Sequence, residues 1–77
     1  MRRVQRETNQ FQAEADDGTV YTVVEWTTFS EFRPLSGSPQ WVRGAREYLL
    51  STGGDVSPLG DGAYRIVETD EIIRVAK

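Results

Sequence analysis

The 77-residue chain contains no cysteine and no histidine. The first absence removes disulfides and thiolate chemistry, and the second removes the proton shuttle that titrates nearest neutral pH together with the commonest metal ligand. Ser30, Ser36, Ser38 and Ser51 therefore lack an imidazole to act as general base. No apolar run approaches the ~20 residues that cross a bilayer, and Met1-Arg-Arg-Val-Gln-Arg leads into polar sequence where a secretory signal would place an apolar stretch. These absences make a cytoplasmic, non-enzymatic protein the expectation, with no metal, no cofactor and no membrane partner.

Positive charge is scarce outside the start of the chain. The formal net charge is -3, yet three of the nine cationic residues, Arg2, Arg3 and Arg6, fall in the first six positions. Residues 7–77 therefore carry six cations against twelve acids, a net of -6. Nucleic-acid affinity is dominated by neutralising phosphates, so a body of this sign disfavours a nucleic-acid partner while leaving room for a local basic patch. The acids themselves gather at turns. Glu14, Asp16 and Asp17 sit near one, and Glu68, Asp70 and Glu71 near another. Neither group has the alternating oxygen-ligand spacing of a calcium loop, so solvated turn residues are expected there rather than a cation site.

What the sequence does have is β-prone runs. Between Phe11 and Phe29 two of them flank Asp16-Asp17-Gly18, where Asp-Gly supplies the positive φ of a tight hairpin turn. The first run alternates Phe11, Ala13 and Ala15 against Gln10, Gln12 and Glu14, which places the apolar set on one buried face. The second is rich in β-branched and aromatic residues suited to a pleated surface. Val20, Thr22, Val24 and Trp26 share one of its faces, and Tyr21, Val23, Glu25, Thr27 and Phe29 the other. Both faces are substantially apolar, so this strand is expected to be central, with Trp26 in the core. Glu25 interrupts an apolar face, which admits two readings: a buried carboxylate with a raised pKa, or a rim position or arginine partner that keeps it charged.

Residues 30–40 carry Pro34, Gly37 and Pro39 and read as a loop, long enough to be a candidate for recognition. Residues 39–51 are ambiguous. Ser38-Pro39 resembles a helix start, with Trp41, Ala45 and Leu49 at helical spacing, whereas Tyr48-Leu49-Leu50-Ser51 before Thr52-Gly53-Gly54 reads as a strand entering a turn. The strand reading is preferred. Beyond it, short β-prone runs at residues 55–59, 63–68 and 72–76 are separated by Gly60-Asp61-Gly62 and Thr69-Asp70-Glu71. Pro58 marks its strand as an edge or an end.

Three stretches, Tyr21-Thr-Val-Val-Glu25, the spacing from Tyr48-Leu49 through Gly54 to Val56, and Asp61-Gly62-Ala-Tyr64-Arg-Ile66-Val67-Glu-Thr69, resemble a group of small uncharacterised bacterial all-β proteins. The similarity spans residues 10–76. It implies extended structure at residues 46–51, and because that group has no established activity it implies no catalytic residue.

The expected architecture is all-β: a single antiparallel meander of five or six strands, curled into a small barrel or sandwich, with residues 1–7 a flexible tail and 8–77 one β domain. Trp26, Phe29, Phe32, Trp41 and Tyr48 lie near Arg33, Arg43 and Arg46, a composition shared by small cores, protein-binding hot spots and base-stacking surfaces. Phe32, Arg33, Trp41, Arg43 and Arg46, which adjoin the Pro/Gly-rich loop, are the candidate binding residues. The functional expectation is a protein-interaction or regulatory module, self-association included, of which a phage-type inhibitor of a host complex would be one instance. The alternative is a single-stranded nucleic-acid-binding β-barrel.

Overall fold

The computed structural model describes residues 2–75. Six strands follow one another as a meander: β1 (Arg3–Ala15), β2 (Val20–Phe32), β3 (Gln40–Leu50), β4 (Asp55–Gly60), β5 (Ala63–Ile66) and β6 (Glu71–Val75). Each pairs antiparallel with the next, and β6 returns to β1 to close a small barrel. The all-β meander read from the sequence is the observed fold, and residues 40–50 are strand throughout.

The turns explain why the chain folds back where it does. At the first, Gly18 N–H donates to Ala15 C=O at 3.0 Å and Ala15 N–H donates to Thr19 C=O at 2.8 Å, a three-residue loop with Gly18 at φ +88°. A side chain other than hydrogen is strained at that φ. Asp17 reinforces the turn by accepting the Thr19 N–H at 2.9 Å, a bond that also holds its carboxyl below its ordinary pKa. The β3–β4 hairpin repeats the arrangement, with Gly53 N–H donating to Leu50 C=O.

Closure involves only part of the long strands. β1 meets β6 through Ala13, Glu14 and Ala15, and β3 meets β4 through Tyr48 and Leu49 alone. The core sits at that end: Ala13, Ala15, Val23, Leu50, Val56, Ile66 and Ile73 form one buried cluster, with Phe11, Tyr21, Tyr48 and Tyr64 packed against it. The remaining halves of β1, β2 and β3 continue past the barrel as a three-stranded arm tipped by the loop at 33–39. The arm makes the molecule 55 Å long and 17 Å thin, with a radius of gyration of 15.7 Å. A compact domain of this length would have about 11.5 Å.

Two expectations are corrected. Of the segment expected as a tail, residues 3–7 belong to β1 and pair with β2, Arg3 opposite Ser30 and Glu7 opposite Trp26. Ladder hydrogen bonds to a long neighbouring strand order a segment that is poor in apolar anchors. Met1 of that segment, and Ala76 and Lys77 at the other end of the expected domain, lie outside the described residues. Trp26 is outside the core cluster, because the face of β2 that enters the barrel is that of Tyr21, Val23 and Thr27. Trp26 lies on the opposite face, flanked by Glu7 and Glu47.

Candidate functional site

The arm carries two irregularities that decide what it displays. In β1, Glu7 pairs with Trp26 and Asn9 with Glu25, so Thr8 is an extra residue in the ladder. In β3, Thr27 pairs with Arg46 and Phe29 with Arg43, which leaves Gly44 and Ala45 together opposite Thr28. A bulge of this kind shifts the side-chain phase of one strand by one residue. Gly44 is suited to the second bulge, since a Cβ there would come within 3.1 Å of the Thr28 carbonyl oxygen.

The phase shift assembles one face. Residues directly opposite in antiparallel strands project to the same side. Arg6, Thr27 and Arg46 therefore form one row, Val4, Phe29 and Arg43 the next, and Glu31 and Trp41 a third nearer the tip. Without the bulges Arg43 and Arg46 would point to opposite faces, and so would Arg6 and Phe11. The Arg43 guanidinium lies 5.7 Å from the centroid of the Phe29 ring, a cation–π arrangement that holds both side chains in place. Arg6, Phe29 and Trp41 together line a hollow of about 240 Å³. Among the described residues the ion pairs are Arg33–Glu31, Arg65–Asp70 and Arg74–Asp16, and none of them uses Arg6, Arg43 or Arg46.

Where arm meets barrel, the same face turns polar and is fully satisfied. The bulge aims the Thr8 hydroxyl inward, where it donates to Glu25 Oε1 at 2.7 Å. Having one proton to give, Thr8 then accepts from the Thr27 hydroxyl, also at 2.7 Å. Tyr48 Oη donates to Glu25 Oε2 at 3.1 Å. The Thr8 hydrogen bond, more than the partial burial that opposes it, holds the Glu25 carboxyl below its ordinary pKa, with help from Tyr48 and the charges of Arg46 and Arg43. Glu25 is thus a charged, anchored carboxylate and not one raised by burial. Burial and the bond to Glu25 push the Tyr48 phenol up. Phe11, Tyr48 and Tyr64 pack against one another edge-on or tilted, with ring centroids 5.2 to 6.4 Å apart. Thr27, fully buried, has its partner in Thr8, so this junction is a structural network.

The five candidates from the sequence do not form one site. Trp41, Arg43 and Arg46 share the arm face just described. Phe32, half exposed, pairs with Gln40 on the opposite face, and Arg33 follows it into the tip loop, where its Nε donates to Glu31 Oε1 at 2.8 Å. Arg6 and Phe29 complete the face and were not among the candidates. Arg6 was hidden by the Thr8 bulge, which no residue in that stretch announces. The acidic turns carry local contacts: Asp16 faces Arg74 at 3.7 Å, and Glu71 accepts from Tyr21 Oη at 3.0 Å.

The fold and this face define a small antiparallel β-barrel with a protruding arm that presents arginine and aromatic side chains. In comparisons with known proteins, no family, no curated protein and no solved structure matches the chain.

Proposed function

We propose that the protein is a non-enzymatic interaction module whose arm face, Arg6, Phe29, Trp41, Arg43 and Arg46, takes an anionic protein partner. One observation carries the reading: two bulges bring three arginines, none ion-paired among the described residues, onto the same face as two aromatics and outside the core. Arginine and tryptophan are the residues in which interface energy concentrates, and an acidic segment would supply the missing counter-charges. An inhibitor or regulator that lays its arm against a larger partner is the form of module this shape supports.

Single-stranded nucleic acid is the second reading, favoured by the same arginine–aromatic mixture. It ranks lower for two reasons. The Phe29 ring is already covered by Arg43, and Phe32 is on the other side of the sheet, which leaves Trp41 as the stacking platform of this face. The chain as a whole is also negative. The test is the double variant Arg43→Ala, Arg46→Ala. It should melt within about 4 °C of the parent, since exposed substitutions cost within roughly 0.5 kcal/mol and 1 kcal/mol moves the midpoint of a domain this size by about 4 to 8 °C, and should lose whatever protein the parent captures. Equal capture by parent and variant would move the site elsewhere. A strongly salt-dependent mobility shift with a (dT)-oligonucleotide, abolished in the variant, would replace the leading reading with the second.

A further inference from the structure

The backbone beside the arm face is as informative as its side chains. β3 pairs with β4 only at Tyr48 and Leu49, so along residues 40–47 its one neighbour among the described residues is β2. All eight of those residues are exposed. The free edge is ~26 Å long at the usual rise per residue. An edge of this length carries a row of unpaired N–H and C=O groups, and proteins ordinarily blunt such edges with charged side chains, proline, a bulge or a covering element. Residues 40–47 contain neither lysine nor proline, and among the described residues nothing covers them; the Gly44-Ala45 bulge interrupts the edge once and leaves residues 40–43 a regular stretch.

We propose that β3 is completed by an added strand: an extended, acidic segment of a partner protein pairs antiparallel or parallel with residues 40–47 and sets alternate carboxylates against Arg43 and Arg46. The proposal rests on the reading of the arm face above and adds its mode of binding. Main-chain hydrogen bonds would supply affinity, and the side-chain rows specificity. Three features select this edge and occupant. Trp41, Arg43 and Arg46 all stand on β3 itself, next to the position an added strand would take. Beyond Tyr48, β4 diverges from β3 and leaves a cleft of about 390 Å³ lined by Arg46, Glu47, Tyr48, Asp55, Val56 and Pro58, which would receive an uncharged end of the added segment, since its two carboxylates repel an acidic one. The corresponding free edge of β1 alternates Arg3, Gln5 and Glu7 on one face and contributes only Val4 and Arg6 to the other, so it offers no consistent charge. A second copy of this chain is the poorer occupant. Two-fold antiparallel pairing of β3 edges would put six arginines on one continuous face, with the two Arg43 side chains adjacent at the centre.

The test uses an end-capped decapeptide alternating glutamate with valine or threonine, titrated into the isotope-labelled protein and followed by amide chemical shifts. The peptide should perturb residues 40–47 and the indole of Trp41, and leave the β1 edge in place. The same peptide N-methylated at alternate residues keeps its charges but cannot extend the ladder, so it should bind about tenfold or more weakly. Equal binding by the methylated peptide would overturn strand addition while leaving an anion-binding arm face intact. No perturbation of residues 40–47 at millimolar peptide would also overturn it, as would a dimer in sedimentation whose interface maps to β3. Should the peptide fail where a (dT)-oligonucleotide shifts the Arg43 and Arg46 resonances, the protein-partner reading falls as well.

Discussion

β1, β2 and β3 each run through two different environments. At the barrel end Ala13, Val23 and Leu50 interlock with residues from β4, β5 and β6. At the arm end the same strands have, among the described residues, only one another, and β3 is exposed at every position from 40 to 47. The hydrophobic term scales with apolar area removed from water, so stability concentrates in the barrel, and the arm is held by its ladders and a few pairs such as Arg43 over Phe29. A surface released from the duty of forming a core can carry charge and aromatics together. The polar network of Thr8, Glu25, Thr27 and Tyr48 stands at the boundary and ties β1, β2 and β3 together there.

Variants on the two sides of that boundary should behave differently. The largest effect is expected in the barrel: Ile73 is fully buried, and Ile73→Ala should cost about 2 to 5 kcal/mol, comparable to the whole stability of a small domain. Chemical denaturation would read it as a collapse of the midpoint, and a modest shift would mean that the cluster around Ile73 is loosely packed. Gly18→Val tests the turn that starts the barrel. No atom lies within 4 Å of the added Cβ, so the expected loss of about 1 to 2 kcal/mol is backbone strain alone. An unchanged melting temperature would contradict the positive φ.

Glu25→Gln probes the boundary and should cost about 0.5 to 1 kcal/mol near neutral pH through weaker hydrogen bonds. Its pH dependence has a definite sign. The folded-state pKa of Glu25 is depressed, so its contribution is complete above the unfolded value of about 4.3 and is lost as pH falls through the lower folded value. The parent's advantage over Glu25→Gln should therefore hold from about pH 5 upward and fade below about pH 4. Tyr48 acts at the other limit. Its pKa is raised, so the phenol stabilises the fold at pH below about 10 and that contribution disappears as pH rises through the folded value. A parent-to-variant gap independent of pH would remove the carboxylate from the network. The smallest change in stability is expected for Arg43→Ala with Arg46→Ala on the arm.

The strand count, the meander and the first turn were legible because alternation, turn residues and β-branched runs agree over most of the chain. The placement of Trp26 was misread, although the register carries it. A three-residue loop at 16–18 sets Ala13 opposite Tyr21 and Phe11 opposite Val23, and the alanines had already been assigned to the buried face. Following that register puts Tyr21 and Val23 inside and Trp26 outside, whereas composition alone cannot choose between two apolar faces. Much of the candidate face was hidden for a different reason. A bulge inverts the phase of everything beyond it, and neither Thr8 nor Gly44-Ala45 announces one, so Arg6 and Arg46 could not be assigned to the side of Phe29 by counting in twos. The arm itself arises from unequal strand lengths: β1 and β2 have 13 residues each and β5 has 4. That inequality is set by where the short hairpins turn.

Residue-resolved amide hydrogen exchange, with and without the acidic decapeptide, tests the division between barrel and arm most directly. In the free protein the amides of Val23, Ile66 and Ile73 should exchange only through global unfolding, while the outward-facing amides among residues 40–47 exchange orders of magnitude faster. Peptide should then slow alternate amides of residues 40–47 and leave the barrel unchanged. Protection of residues 40–47 equal to the barrel's in the free protein, or peptide-induced slowing confined to β4, β5 and β6, would contradict the account.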